Sequence, residues 1–413
     1  MNIKKFLILI NLFLIVLGIV YEPSLSIITN LYNLVVSGDA LITDYFISGS
    51  KGSAFLNAGI VGLFSIYLLG RYKNQFDGMT IASVMLMSGF ALFGKNIINI
   101  LPILFGTYLY CDFKKLCLGD YLPISFFATS LSPLVSEFAF VYDGPVFLKT
   151  FLAFGLGTSV GFIVVFISKH LSKVHKGYNL YNVGFSVGIL STIYVSLLRS
   201  YGYKVQSRLL WYADIDYKLY IIFYTLFIGL FIYAALKENF DFSKMKLLLK
   251  TSGYKIDYYK EFGLNTVMIN MAVNAVFTLT YLLVLQIPLN GATIGGLLTI
   301  VGFSAYGKHL FNIYPIFIGV MLGGITKTWT LRDPAVVLSV LFGTGLAPFA
   351  GTFGLLAGII ASYINSSVVL NTGFLHGGLN LYNTGFSIGI IASVLVPLFE
   401  AIYPDRKNKL ADQ

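Results

Sequence analysis

Long apolar stretches separated by short polar intervals run along nearly the whole chain. Fourteen segments stand out: 5–21, 53–72, 79–94, 97–113, 121–141, 146–168, 180–201, 220–236, 264–286, 291–307, 313–329, 334–351, 352–370 and 382–401. Many approach the ~20 residues that a bilayer-spanning helix needs. None alternates with the period of two that a membrane β-barrel strand requires. The pattern predicts an all-α integral membrane protein. Segments 79–94, 97–113, 121–141, 291–307 and 334–351 are too short, or too rich in Gly and Pro, for plain straight spans. Such segments at matching places in two halves predict broken or re-entrant helices. The start, Met1 to Ile8, has the basic-then-apolar form of a signal peptide, but no small-residue cleavage site follows between Tyr21 and Ile28. Segment 5–21 therefore reads as a retained first helix.

The halves are copies. Gly89 to Gly106 matches Gly302 to Gly319 with nine of 18 positions identical. Thr129 to Phe138 matches Thr344 to Phe353, and Gly177 to Ile189 matches Gly378 to Ile390 with ten of 13 identical. The blocks keep their order at offsets of 213, 215 and 201 residues. Each half is one structural repeat of about seven segments, and an odd number of crossings inverts the second copy. The expected organisation is a first repeat at 1–219, a second at 220–401 with a cytoplasmic linker loop at 237–263, and a basic cytoplasmic tail at 402–413.

Composition closes off the other classes. Of 413 residues, 57% are apolar and 11% charged, with a mean hydropathy of +0.80. That excludes a water-soluble enzyme, a disordered chain and a secreted disulfide scaffold. The net charge of +10 belongs to loops rather than to nucleic-acid binding. If all fourteen segments cross and the N-terminus is inside, 19 Lys and Arg fall inside and nine outside. This bias predicts a cytoplasmic (inner) membrane protein with both termini in the cytoplasm. Cys111 and Cys117 read as free thiols. His170, His175, His309 and His376 are scattered, so no metal site and no cofactor are expected.

Gly184-Phe-Ser-Val-Gly188 and Gly385-Phe-Ser-Ile-Gly389 fit the nucleophile-elbow spacing, yet that motif needs a strand–turn–helix and a His/Asp pair. In an apolar helix the glycines form a close-packing face. Thr129/Pro133 and Thr344/Gly345/Pro348 lie mid-segment, where proline breaks a helix and frees backbone groups for a solute. Asn179, Asn182, Asn380 and Asn383 stand where a loop meets a helix, as caps or as amides beside a solute path. Lys95 and Lys308 end a short segment in each copy. They are either interfacial, snorkelling lysines or an attraction for an anion. Glu137 is the one carboxylate placed inside a span, a candidate for a coupling proton.

The blocks Gly-Phe-x-x-x-Gly-Lys, Gly343-Thr-Gly-Leu-Ala-Pro348 and His376-Gly-Gly-Leu-Asn-Leu-Tyr-Asn-Thr-Gly-Phe386 resemble a bacterial multi-pass membrane-protein family known only as a domain of unknown function. The resemblance implies a duplicated membrane protein and no established activity. The first copy departs from the pattern at Ser130, Ser132 and Lys176. A weaker likeness joins the inverted repeats to urea-transporter pore segments.

The expected function is a transporter that binds a small polar or anionic solute near the midplane between the repeats, with Na⁺ or H⁺ as candidate coupling ion. The alternatives are a passive urea-type channel for small neutral solutes and a non-transporting assembly subunit. No pair of buried acids, metal ligands or His-based triad supports an enzyme. Self-association into a homo-oligomer is left open.

Overall fold

The computed structural model describes residues 2–73 and 75–404. Most of the tail assigned to 402–413 lies outside the described residues. The helices of the first half are α1 (Ile3–Tyr21), α2 (Ser26–Val35), α3 (Tyr45–Ser48), α4 (Lys51–Tyr72), α5 (Gly78–Phe90), α6 (Ile97–Lys114), α7 (Leu118–Ala128), α8 (Ser132–Ser136), α9 (Val146–Leu171) and α10 (Asn182–Ser200). Those of the second are α11 (Tyr217–Lys237), α12 (Ser243–Leu248), α13 (Tyr258–Val284), α14 (Gly291–Phe303), α15 (Leu310–Thr326), α16 (Pro334–Gly343), α17 (Ala347–Phe353), α18 (Leu355–Leu375) and α19 (Asn383–Ile402). A 3₁₀ turn joins α7 to α8 and another joins α16 to α17. Glu137–Val141 forms a π turn.

Polar residues between the apolar runs set the helix starts. Asp77 with Thr80, Asn96 with Asn99, and Asn290 with Thr293 form reciprocal capping boxes. Each satisfies backbone N–H groups that lipid could not.

Among the described residues, ten helices are long and apolar enough to cross a bilayer, counting α7–α8 and α16–α17 each as one. The fourteen crossings assumed for the charge count thus reduce to ten, in keeping with the expected re-entrant segments. At 13 residues, α5 and α14 rise only about 20 Å. The chain leaving α6 returns to where the chain enters α5: a Cβ on Gly119, in the first turn of α7, would lie 1.9 Å from the Tyr72 carbonyl oxygen at the end of α4. The α5–α6 pair is a re-entrant hairpin, and α14–α15 is its counterpart. Five long helices per repeat remain, an odd number.

The two copies run in opposite directions. Gly89, late in α5, packs on Gly295, early in α14, while Gly302, late in α14, packs on Ala82, early in α5. Equivalent helices are thus antiparallel neighbours, as an inverted repeat demands. Polar contacts obey the same pseudo-twofold. Asp44 caps α3 through the Phe46 N–H (3.0 Å) and also accepts from the Gly291 N–H of α14 (3.1 Å). Its counterpart Asp257 caps α13 through the Lys260 N–H (3.1 Å) and accepts from the Gly78 N–H of α5 (3.0 Å). Each repeat therefore caps the other's hairpin. Asp44→Ala and Asp257→Ala are each expected to cost about 1–2 kcal/mol. The losses should add in the double variant because the sites lie at opposite faces. Thermal melts of the purified single and double variants check this.

Two readings shift. The stretch 237–263 is more than a linker: it holds α12 and the first turn of α13, which kinks at Gly263 where φ is +80°. The break placed between 351 and 352 falls at Gly354, where φ is +97°.

Candidate functional site

The two hairpin tips each bring a lysine into the protein interior. The tip turn 91–96 is fixed by Asn57 on α4, whose Nδ2 donates to the carbonyls of Ala91 and Lys95, both at 2.7 Å. Asn270 on α13 does the same for Ser304 (2.8 Å) and Lys308 (2.7 Å). Both tips turn through a glycine with positive φ, Gly94 at +144° and Gly307 at +83°. A side chain at Gly94 would strike Leu381.

Lys95 and Lys308 are fully buried, at 0% exposure. The interfacial, snorkelling reading is thereby overturned. Lys308 Nζ hydrogen-bonds the Tyr181 hydroxyl and donates to Thr344 Oγ1 at 2.7 Å. It also lies 4.6 Å from the Tyr181 ring centre and 5.1 Å from that of Phe303. Lys95 Nζ donates to the Phe126 carbonyl at 3.1 Å and lies 4.9 Å from the Phe90 ring centre. Thr129 Oγ1 donates to the same Phe126 carbonyl at 2.7 Å. Among the described residues, neither lysine belongs to an ion pair with a carboxylate. A lone buried ammonium is costly without a negative partner.

Aromatic rings fill the space between the two lysines. Tyr181 and Tyr382, equivalent in the repeats, meet with ring centres 4.6 Å apart. Phe303 packs on Tyr181 and Phe90 on Tyr382, at 5.0 and 5.1 Å. Phe127 and Phe342 complete the cluster. The helices α10 and α19, which follow the two tyrosines, abut here. A Cβ on Gly184 would lie 3.2 Å from Gly385 Cα, and Gly188 and Gly389 receive Phe386 and Phe185. The glycine spacing thus serves packing.

The helix breaks are used differently from the expectation. The freed carbonyl of Ser130 accepts from the Leu381 N–H at 3.0 Å, and that of Gly345 from the Leu180 N–H at 3.1 Å. Each break thus holds the other repeat's helix-leading loop. Pro133 and Pro348 sit in the first turn of α8 and α17, where proline is tolerated. Gly345 leaves room for the Tyr181 ring, 2.5 Å from where its Cβ would be. Asn182 and Asn383 latch their loops: each accepts at Oδ1 from a histidine (His175 at 3.0 Å, His376 at 2.8 Å) and donates to a carbonyl of the preceding helix. Asn179 and Asn380 accept from the N–H groups of Tyr181 (2.8 Å) and Tyr382 (2.9 Å), orienting the tyrosines. Glu137 is buried but bonds Tyr203, at 2.6 Å, away from either lysine.

Thr344, Gly345, Lys308 and Asn179 therefore meet around Tyr181, while Asn380 and Asn179 set the two tyrosines. The central tyrosines and phenylalanines went unassigned in the sequence, although both tyrosines lie inside the duplicated Asn-Leu-Tyr-Asn block. Asn57 and Asn270 carried the 213-residue offset that would have marked them.

One cavity of about 830 Å³ is lined by residues that include Lys250, Tyr254, Lys255, Asp257 and Glu261, and another of about 740 Å³ by residues that include Leu41, Arg199, Lys204, Phe374 and Gly378. Among the described residues, no group of three or more His, Cys, Asp or Glu could hold a metal ion.

The fold and site define a polytopic helical membrane protein of two inverted repeats, with a re-entrant hairpin in each. The chain belongs to the family described as protein of unknown function (DUF1576), which matches it twice, at residues 24–200 and 225–401. Neither the curated proteins nor the solved structures contain a match.

Proposed function

We propose that the protein is a transporter of a small anion, which passes between Lys95 and Lys308 across the aromatic cluster at the pseudo-twofold. The observation that carries this is the pair of fully buried lysines with no carboxylate partner among the described residues. The starts of α6 and α15 lie two residues beyond them in sequence, and helix N-termini favour negative charge. An anion supplies what a buried ammonium needs. The inverted repeat supports the reading too, since alternating access rocks such repeats about a site between them. The plug of packed rings favours a gated carrier over an open urea-type pore. The excess of Lys and Arg on one side supports an inner-membrane protein with both termini in the cytoplasm, with the solute and the lipid bilayer as partners.

The test is a thermal-stability screen of purified protein with phosphate, sulfate, small mono- and dicarboxylates, and neutral amides and sugars, with and without Na⁺. A ligand that binds the folded state raises the melting point by mass action. Anions should raise it by several degrees and neutral solutes should not. A shift confined to amides or sugars would overturn the anion reading, and anion binding without flux into liposomes would overturn transport.

A further inference from the structure

A buried carboxyl group is linked to the Lys95 turn through one side chain, Asn99. Asp39, in the segment between α2 and α3, has 0% exposure. Its Oδ1 accepts from the Tyr45 hydroxyl at 2.7 Å. Its Oδ2 accepts from Asn99 Nδ2 at 3.0 Å and from the Ser136 hydroxyl on α8. Asn99 Nδ2 also reaches the Gly94 carbonyl at 3.0 Å, which takes a further bond from Ser132 at 2.9 Å. One carboxylate thus ties together α3, the start of α6, the lower half of the broken helix and the peptide that leads into Lys95. The second repeat has Ser252 in this place. There Asn312 reaches only the Gly307 carbonyl and, at 3.4 Å, that of Ser252.

We propose that Asp39 is the proton site that couples anion movement to H⁺ uptake. This rests on the anion-transport reading. The groups around Asp39 suit a proton better than a metal ion, because they donate hydrogen bonds rather than offer oxygen lone pairs. Two of them, the hydroxyls of Tyr45 and Ser136, can reverse and accept from a protonated carboxyl, whereas the Asn99 amide cannot. A proton on Oδ1, taken up against a reversed Tyr45 hydroxyl, turns Oδ2 into a neutral carbonyl oxygen, which weakens its hydrogen bond from Asn99 and with it the brace on the Gly94–Lys95 turn. The charged neighbour is Arg208, whose guanidinium lies over Gly38 and donates to its carbonyl at 3.2 Å. Among the described residues it forms no ion pair with Asp39. Glu137, next along from Ser136, is turned to Tyr203. Burial pushes the Asp39 carboxyl up to about 7, against the pull of its three hydrogen bonds and Arg208. Since its folded value lies above that of an unfolded carboxyl, its stabilising contribution is complete in acid and disappears as pH rises through 7. Anion binding near Lys95 and proton binding at Asp39 then reinforce each other, and reciprocally so.

The measurement is an infrared pH titration of the purified, anion-free protein, following the protonated-carboxyl C=O band. The band should titrate with a midpoint near 7. It should be lost in Asp39→Asn and stay unchanged in Glu137→Gln. Tyr45→Phe, a milder change, should move the midpoint upward by removing a bond to the carboxylate. A wild type without a titrating buried acid between pH 5 and 8, or a band that survives Asp39→Asn, overturns the proton site. Coupling is read by repeating the thermal screen with sulfate, whose charge is constant over this range, at pH 6 and 8. The shift should be larger at pH 6 in the wild type and independent of pH in Asp39→Asn. A shift with equal size at both pH values in the wild type overturns coupling. If no anion binds, the transport reading fails while the infrared result still decides the proton site.

Discussion

Lys308→Met is expected to weaken anion binding by 100-fold or more while the protein remains folded. Removing one partner from a buried, hydrogen-bonded charge pair costs roughly 2–5 kcal/mol, which corresponds to factors from tens to thousands. Stability should change far less. Methionine keeps the length and apolar body of the side chain, and a buried charge itself contributes little to folding. Thr344 retains its bond to the Leu341 carbonyl at 2.7 Å. The Tyr181 hydroxyl, which loses Lys308, is the group left to find a new partner. Calorimetric titration of the strongest anion from the screen, beside a thermal melt, measures both quantities. Unchanged affinity would remove Lys308 from the binding site. Lys95→Met provides the symmetric comparison. Because Lys95 bonds a carbonyl and the Met87 sulfur where Lys308 bonds two hydroxyls, the two variants also report how unequal the two halves are.

The largest structural effect is expected at the crossing of α6 and α9. A Cβ on Gly106 would lie 1.9 Å from the Thr158 carbonyl oxygen, and one on Gly161 would lie 1.8 Å from that of Ile103. Both obstacles are backbone, so no rotamer change relieves them. The helices must separate by more than 1 Å, which breaks packing along their length. Gly106→Val or Gly161→Val should therefore cost several kcal/mol and leave little monodisperse protein after detergent extraction. Gly155 lies on α9 too, and a Cβ there meets nothing within 4 Å. Gly155→Ala should behave like the wild type. Size-exclusion profiles and melts of the three variants make the comparison. In the second repeat, Gly319 meets the Ile359 carbonyl oxygen at 2.4 Å and Ser362 Oγ at 2.0 Å, so the same penalty should recur there.

Much of the frame was legible in the chain because lipid imposes a simple demand. Helices must be apolar and about as long as the bilayer is thick, and the fourteen apolar runs match the observed helical segments to within several residues. Duplication was legible because both copies retain the same turn glycines, capping residues and tyrosines. Crossing was harder to read. Whether a 13-residue helix continues outward or folds back depends on its neighbours, and the packing of Gly119 on Tyr72 decided it. The role of Lys95 and Lys308 was harder still. A lysine at the end of a short apolar run has the same sequence whether it reaches lipid headgroups or, like Lys308, lies against a tyrosine from the opposite repeat. Asp39 was passed over for the same reason, since a polar stretch between helices gives no sign that it folds inward.

The sequence by itself determined the membrane class, the two repeats and where nearly every helix starts. These follow from apolar length and from local hydrogen bonding, both short-range along the chain. Only the tertiary structure decided that the hairpins are re-entrant, that the helix breaks hold the partner repeat's loops and that two lysines and Asp39 are sealed from water. Each of these depends on residues about 40 to 250 positions apart being brought together, and burial is a property of that assembly rather than of any one segment.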